Sequence, residues 1–249
     1  MAGREELSRS FGAVADVYES GRPGYPSEAV AWMLAPVRAE GRVLRVADGG
    51  AGTGKLTRAA VEFGAQVVAV DPDAAMLAQL RERVHGVPTF VGSAERMPLP
   101  AASLDALLYG QAWHWVDPTA AAPEAARVLR AGGVLGLIWN IRDEREPWVR
   151  RLTAIMKGSH AEEMLAAGDP PVGRPFGDLE RARWRWSQPM TRDALFAMAR
   201  SRSHVITASA QERARIEDGL ELLCDEIGAV GDDTVELPYV TNAFRALRP

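Results

Sequence analysis

Residues 43–55, VLRVADGGAGTGK, constrain the fold of this chain more than any other stretch. Val43, Leu44, Val46 and Ala47 form an apolar run that reads as a strand, and Asp48 closes it. Gly50, Gly52 and Gly54 then alternate with Ala51 and Thr53, and residues 56–61 continue as a helix. Glycines at such a turn admit positive φ and present no Cβ, so a ligand can lie against the backbone. The helix start beyond it offers unpaired N–H groups and the positive end of the helix dipole.

Spacing separates the ligand classes that use a turn of this kind. A P-loop needs Gly-x-x-x-x-Gly-Lys-Ser/Thr, and residues 49–55 follow it as far as the lysine. Leu56 then stands where the magnesium-binding hydroxyl belongs. A dinucleotide turn needs Gly-x-Gly-x-x-Gly, whereas this one is Gly-x-Gly-x-Gly. A tight strand–helix turn without a ligand is the remaining alternative, and it leaves the conformational cost of the glycines without a purpose.

The rest of the chain alternates strand-like and helix-like segments. Residues 7–20 read as an amphipathic helix with Phe11, Val14 and Tyr18 on one face, ended by the glycines and prolines of residues 21–26. Ser27 is a candidate N-cap for a helix to about Val37. Residues 66–70 form a second strand ended by Asp71, a carboxylate placed either to accept hydrogen bonds from a ribose diol or to cap the next helix. Residues 88–92 are a third strand, followed by Ser93, Ala94 and Glu95. Residues 104–109 are a fourth, leading into Gly110-Gln111-Ala112-Trp113-His114-Trp115. Residues 118–129 are helical, with Gly132-Gly133 as the stop, and residues 134–139 are a fifth strand ending at Asn140. Strands separated by helices favour a right-handed, doubly wound parallel sheet. In such a sheet the crevice beyond the strand C-termini holds the ligand. That places Asn140 and the Trp113–Trp115 loop on the ligand edge, with core packing of both indoles and His114 as the alternative.

Beyond Ile141 the pattern changes. Residues 146–165 read as one helix, residues 183–188 as a strand with Trp184 and Trp186 on one face, and residues 193–201 and 210–227 as helices. Residues 234–239 form a closing strand, whose Pro238 calls for an edge or late-strand position. Glu212, Glu217, Asp218 and Glu221 read as a solvated helix face rather than a metal site. The net charge of −4 excludes a general nucleic-acid footprint, leaving only a local basic run at Arg181, Arg183 and Arg185. A single cysteine, Cys224, excludes an intrachain disulfide and a cysteine cluster for zinc. A polar N-terminus without a signal-peptide core, and no apolar run of membrane-spanning length, make a cytoplasmic address the expectation. A monomer or homodimer without membrane or nucleic-acid partners is expected.

Along nearly the whole chain these motifs resemble class I S-adenosylmethionine (SAM) methyltransferases. The resemblance rests on residues 11–26, the acidic residue before Gly-x-Gly-x-Gly, Val-Asp-Pro, Val-Gly-Ser-Ala-Glu, Gln-Ala-Trp-His-Trp and Arg-Val-Leu-Arg-Ala-Gly-Gly. It is closest to the trans-aconitate methyltransferase-like branch, through the Arg-Pro-x-Tyr-Pro arm and the His-Trp loop. It implies an α/β Rossmann-like, doubly wound, seven-stranded sheet whose last strand is antiparallel, with an N-terminal lid arm and helical cap elements. One domain of residues 1–249 is implied: lid helices over 1–37, a SAM-binding core over 38–140, and cap helices with the last two strands over 141–249. It also implies SAM as cofactor, held by Asp48, Gly50, Ala51, Gly52, Thr53, Gly54, Asp71, Pro72, Met76, Ser93, Ala94, Glu95 and Gln111, with Tyr18 and Arg22 from the arm.

Two departures from the family pattern bear on the site. Gly49 stands where the family usually has a large apolar residue, which loosens the strand end or makes room beneath the cofactor. Ser93 stands where an acidic residue commonly reads the adenine amino group, so that contact passes to Glu95 or the backbone. The acceptor is expected to be a small molecule near Tyr25, Trp113, Trp115, Asn140 and Arg142. A carboxylate would need no base, while a phenol, amine or alcohol could use His114. Tyr18, Trp113 and Trp115 are candidates to face the sulfonium, which aromatic rings favour through the cation–π effect. Arg22 and Arg142 could pair with a carboxylate. A SAM- or nucleotide-binding regulator without methyl transfer is the alternative function.

Overall fold

The structure is a computed structural model that describes residues 23–206 and 208–249. The expected helix over residues 7–20, with Phe11, Val14 and Tyr18, and also Arg22, lie outside the described residues.

Seven strands form one sheet in the order β3-β2-β1-β4-β5-β7-β6. They are β1 (Arg45–Gly49), β2 (Gln66–Asp71), β3 (Thr89–Val91), β4 (Leu104–Gly110), β5 (Leu129–Arg142), β6 (Glu180–Thr191) and β7 (Thr234–Leu247). The pairs β1–β2, β1–β4, β2–β3 and β4–β5 are parallel. β7 runs the other way. Gly133 bonds to Arg248 at one end of the β5–β7 pair, while Asp143 bonds to Pro238 at the other. Along β6, Arg245 meets Glu180 and Tyr239 stacks on Trp186, so that pair is antiparallel too. The expected doubly wound, seven-stranded sheet with an antiparallel last strand is therefore present, β7 being inserted between β5 and β6.

The helices are α1 (Ser27–Leu34), α2 (Lys55–Glu62), α3 (Ala74–Arg83), α4 (Pro118–Val128), α5 (Pro147–Met156), α6 (His160–Ala167), α7 (Arg192–Arg200), α8 (Ser203–Ile206) and α9 (Ala210–Ile227). Contacts divide the chain into two compact units. One contains Gly24–Asn140, Met164–Trp184 and Thr241–Pro249. Its core joins Met33 and Leu34 of α1 to Val46, Leu108 and Ile138 of the sheet, and a second cluster joins Ala51 to Leu77 and Leu80 of α3. The other contains, in the described residues, Pro23, Ile141–Glu163 and Arg185–Val240. Leu152, Met156, Leu195, Leu220, Leu223 and Tyr239 form its core.

Several boundaries differ from the sequence reading, each for a local reason. The helix expected over residues 146–165 is two helices, because Lys157 takes a φ of 62° and stops the first. Pro26, not Ser27, is the N-cap of α1, and the Ser27 hydroxyl turns to Glu28. α4 stops at Val128 because Leu129 is already extended and paired with Leu104, so the strand begins before Gly132-Gly133. Pro238 lies within β7, yet it faces Asp143, the residue just past the end of β5. Its missing N–H thus falls where the β5 ladder has ended, and the strand tolerates it. Among the described residues, no helix is long and apolar enough to cross a membrane.

Candidate functional site

The turn between β1 and α2 is built as the glycine spacing requires. Gly50, Gly52 and Gly54 have φ of 63°, 54° and 92°, values that L side chains rarely adopt. They differ in what surrounds them. A Cβ on Gly50 would meet the Ala112 Cβ at 2.7 Å, and one on Gly54 would meet the Leu80 Cγ at 2.8 Å. A Cβ on Gly52 would meet nothing within 4 Å. The outer two glycines therefore serve close packing against the loop after β4 and against α3, and the middle one borders open space. Buried Ala51 donates to the Val70 carbonyl, Gly54 N–H closes a turn onto Ala51, and buried Thr53 lies between them.

Two carboxylates fix this turn. Asp48 is fully buried at the end of β1. Its Oδ2 accepts the Thr57 hydroxyl at 2.6 Å, tying the strand to α2. Its Oδ1 is buried without a protein partner. Burial outweighs the Thr57 bond and pushes its carboxyl up to about 7. Asp71, at the tip of β2, accepts Gly52 N–H and Asp73 N–H, each at 2.8 Å. Burial raises its pKa, opposed by those two bonds. Asp73, rather than Asp71, is the N-cap of α3, accepting from Ala75 N–H. Asp71 instead binds the middle glycine of the turn.

The space above Gly49 is filled by the ring of Tyr109 on the adjoining strand β4. The departure at Gly49 is a size exchange between neighbouring strands. Pro72 lies in the short link between β2 and α3, and Met76 is buried in the first turn of α3. After β3, Ser93 and Arg96 bond to each other through their backbones, enclosing Ala94 and Glu95. Glu95 Oε1 accepts Asp117 N–H at 3.2 Å, so it ties this loop to the start of α4.

The loop after β4 carries backbone strain. Gln111 has a φ of 55°, uncommon for a residue with a side chain. Its N–H bonds to Ile138 O and its side-chain amide to Asn140 O at 3.0 Å. Trp113–Trp115 is a short 3-10 helix. Trp113 is buried edge-on against Tyr109 and donates its indole N–H to Pro171 O at 2.8 Å. It is a core anchor of this unit. His114 and Trp115 are half-buried and stack at a tilt, 4.8 Å apart. His114 Nδ1 accepts the indole N–H of Trp139 at 3.2 Å.

Asn140, at the end of β5, joins three chain segments. Its side chain donates to Gly24 O at 2.7 Å and accepts the Thr241 hydroxyl at 2.7 Å. Gly24 is thereby held at the strand end, and the Tyr25 hydroxyl lies against the backbone of Gly110. The C-terminal edge of β1, β4 and β5 thus gathers the glycine turn, Tyr25, Gln111, His114 and Asn140. Arg142 belongs to the other unit, where it is buried, ion-paired with Glu162 at 2.9 Å and bonded to Thr153. Its Nη1 has no acceptor.

Sequence reasoning missed Thr57, Trp139, Asp73 and Tyr109. Thr57 and Asp73 carried a local signal, a hydroxyl one turn into the helix and an Asx cap two residues before Ala75. Trp139 carried none, because its partner lies on another strand. The orphaned Asp48 oxygen and the open space at Gly52 fit a cofactor laid along the turn.

A family model described as a methyltransferase domain matches residues 47–137. An uncharacterized methyltransferase of Mycobacterium tuberculosis is 45% identical, over 98% of this chain and 97% of its own. A methyltransferase-like protein of Schizosaccharomyces pombe is 30% identical over 98% and 97%. Among solved structures, an Anaeromyxobacter dehalogenans protein assigned to the type II methyltransferases is 24% identical, with a TM-score of 0.67 over 91% of this chain and 98% of its own. It shares the fold.

Proposed function

We propose, from the premise that this chain belongs to the methyltransferase family, that it transfers a methyl group from SAM to a small-molecule acceptor in the cytoplasm. The observation that carries the reading is the turn itself. Three left-handed glycines stand over a fully buried carboxylate, Asp48, with one oxygen left unsatisfied. When bound, SAM supplies a methyl group already activated on a sulfonium. The protein is left to align the acceptor and exclude water.

Each residue then has a task. Gly50, Ala51, Gly52, Thr53 and Gly54 offer backbone to the cofactor, and Asp48 offers negative charge. Asp71 takes the ribose hydroxyls with the lone pairs that Gly52 and Asp73 leave. Pro72, Met76, Ser93, Ala94 and Glu95 border the adenine, and Gln111 lies beside the reacting end. Tyr18 and Arg22 would come from the arm. Tyr25, His114 and Trp115 border the acceptor, on a scaffold held by Trp113 and Asn140. Arg142 offers its buried Nη1–H to an anion. The Arg-Pro-x-Tyr-Pro arm and the His-Trp loop support a place in the trans-aconitate methyltransferase-like branch. A regulator without methyl transfer would gain weight if Gly49 distorted the turn, and the Tyr109 ring fills the space above it.

The test is incubation with methyl-labelled SAM and panels of small carboxylic acids, phenols and amines, with Gly52→Val as control. Label should pass to members of one panel and not in the variant. Label retained on the cofactor across all panels, with cofactor binding equal in wild type and variant, overturns the reading.

A further inference from the structure

The Trp139 indole N–H lies 3.2 Å from His114 Nδ1. An indole nitrogen only donates, so Nδ1 is the acceptor, and neutral His114 carries its proton on Nε2. A proton on Nδ1 would point at the indole N–H, so the contact selects the tautomer that leaves Nδ1 bare.

Both rings are held. Trp139 is fully buried on β5 and packs edge-on against Phe244, 5.9 Å away. The 3-10 turn carrying His114 is anchored by Trp113, through its bond to Pro171 O and its contact with Tyr109. Trp115 packs on the imidazole at a tilt, with the ring centroids 4.8 Å apart.

We propose that Trp139 is a positioning residue that holds His114 in the Nε2–H tautomer, so that His114 donates a hydrogen bond to the acceptor substrate and does not remove a proton from it. This rests on reading the β4–β5 edge as the acceptor end. A general base at Nε2 needs its lone pair there, and in this tautomer the lone pair is on Nδ1, engaged by Trp139. The acceptor must then arrive with a lone pair available. For an anionic oxygen the balance closes: its lone pair forms the O–C bond, the S–C bond breaks with its electron pair on sulfur, and no proton leaves. A neutral phenol, alcohol or ammonium would release a proton that His114 in this state cannot take.

The test is nitrogen-15 NMR of the histidine-labelled full chain without substrate, with the His114 ring assigned by its loss in His114→Gln. Expected is a protonated Nε2 and an unprotonated Nδ1 in the neutral ring, and a mixture of tautomers in Trp139→Phe. A proton on Nδ1 in the wild type overturns the inference, whatever Trp139→Phe does to folding. Kinetics with an acceptor form the second arm. His114→Gln, which keeps an N–H donor, should hold kcat within about tenfold, while His114→Ala raises KM. An equal loss of about 10²–10⁴ in kcat for both variants would identify a base and overturn the inference. Failure of methyl transfer on every panel would sink the proposed function and leave the tautomer result standing.

Discussion

Gly49 and Tyr109 share one volume across neighbouring strands: a Cβ on Gly49 would fall 2.7 Å from Tyr109 Cζ. The ring is buried, its hydroxyl has no partner, and burial pushes the phenol pKa up. Gly49→Val should therefore destabilise the fold by about 1–3 kcal/mol through overpacking. Tyr109→Phe should be neutral or stabilising by about 1 kcal/mol, because it deletes a buried unsatisfied hydroxyl and keeps the ring. Urea unfolding midpoints decide both. A clear loss of stability in Tyr109→Phe would mean the hydroxyl has a partner.

The glycines of the turn should separate binding from folding. Gly52→Ala and Gly54→Ala both carry strain of about 1–2 kcal/mol from positive φ. Only Gly54→Ala also drives a Cβ toward Leu80, at 2.8 Å. Thermal unfolding should drop further for Gly54→Ala. Calorimetric SAM affinity should fall further for Gly52→Ala, whose methyl enters open space. The reverse order would show that the space at Gly52 is not the cofactor's.

Asp71 and Asp73 divide two tasks that looked interchangeable in sequence. Asp73→Ala should cost about 1 kcal/mol of stability, the worth of an N-cap, with SAM affinity intact. Asp71→Asn removes the charge and replaces one accepting oxygen by an NH2 donor, so one of the two backbone N–H groups loses its acceptor. SAM affinity should weaken by roughly 1.5–3 kcal/mol. Affinity unchanged in Asp71→Asn would leave that residue a purely structural tie.

The fold was largely legible because its signals are local. Apolar runs, glycine stops and caps placed the strands and most helices, while the antiparallel last strand was implied only by the family resemblance. The break at Lys157 was not, since a lysine at positive φ has no sequence signature. In the site, the glycine turn and Asp71 could be read from spacing. Contacts across strands could not. Tyr109 over Gly49 and Trp139 on His114 depend on registry between segments far apart in the chain. Trp113 looked like a ligand wall from its position after β4, and its bond to Pro171 makes it an anchor instead.

Arg142 is buried with Glu162 and Thr153 around it. Arg142→Met should cost about 3 kcal/mol, because Glu162 is then left largely buried without its cation. The double variant Arg142→Met with Glu162→Gln should recover part of that loss. Guanidinium unfolding of the three variants tests it, and strict additivity would show that the pair is not coupled.

Asp48 should make stability depend on pH in a direction opposite to a salt-bridged carboxylate. Its pKa is pushed up to about 7 by burial in the folded chain, against about 3.9 unfolded. Between those values the unfolded chain has lost the proton and the folded chain keeps it. Stability therefore falls as pH rises from about 4 to about 7 and levels off above, by on the order of 4 kcal/mol. Asp71, also raised, adds to the same slope. Asp48→Asn should remove most of it. A cationic cofactor favours the ionised carboxylate, so SAM affinity should rise with pH through about 7 in the wild type and stay flat in Asp48→Asn. Urea midpoints and calorimetry across this range measure both, and a wild-type stability that rises with pH would show that Asp48 is ionised in the folded chain well below neutrality.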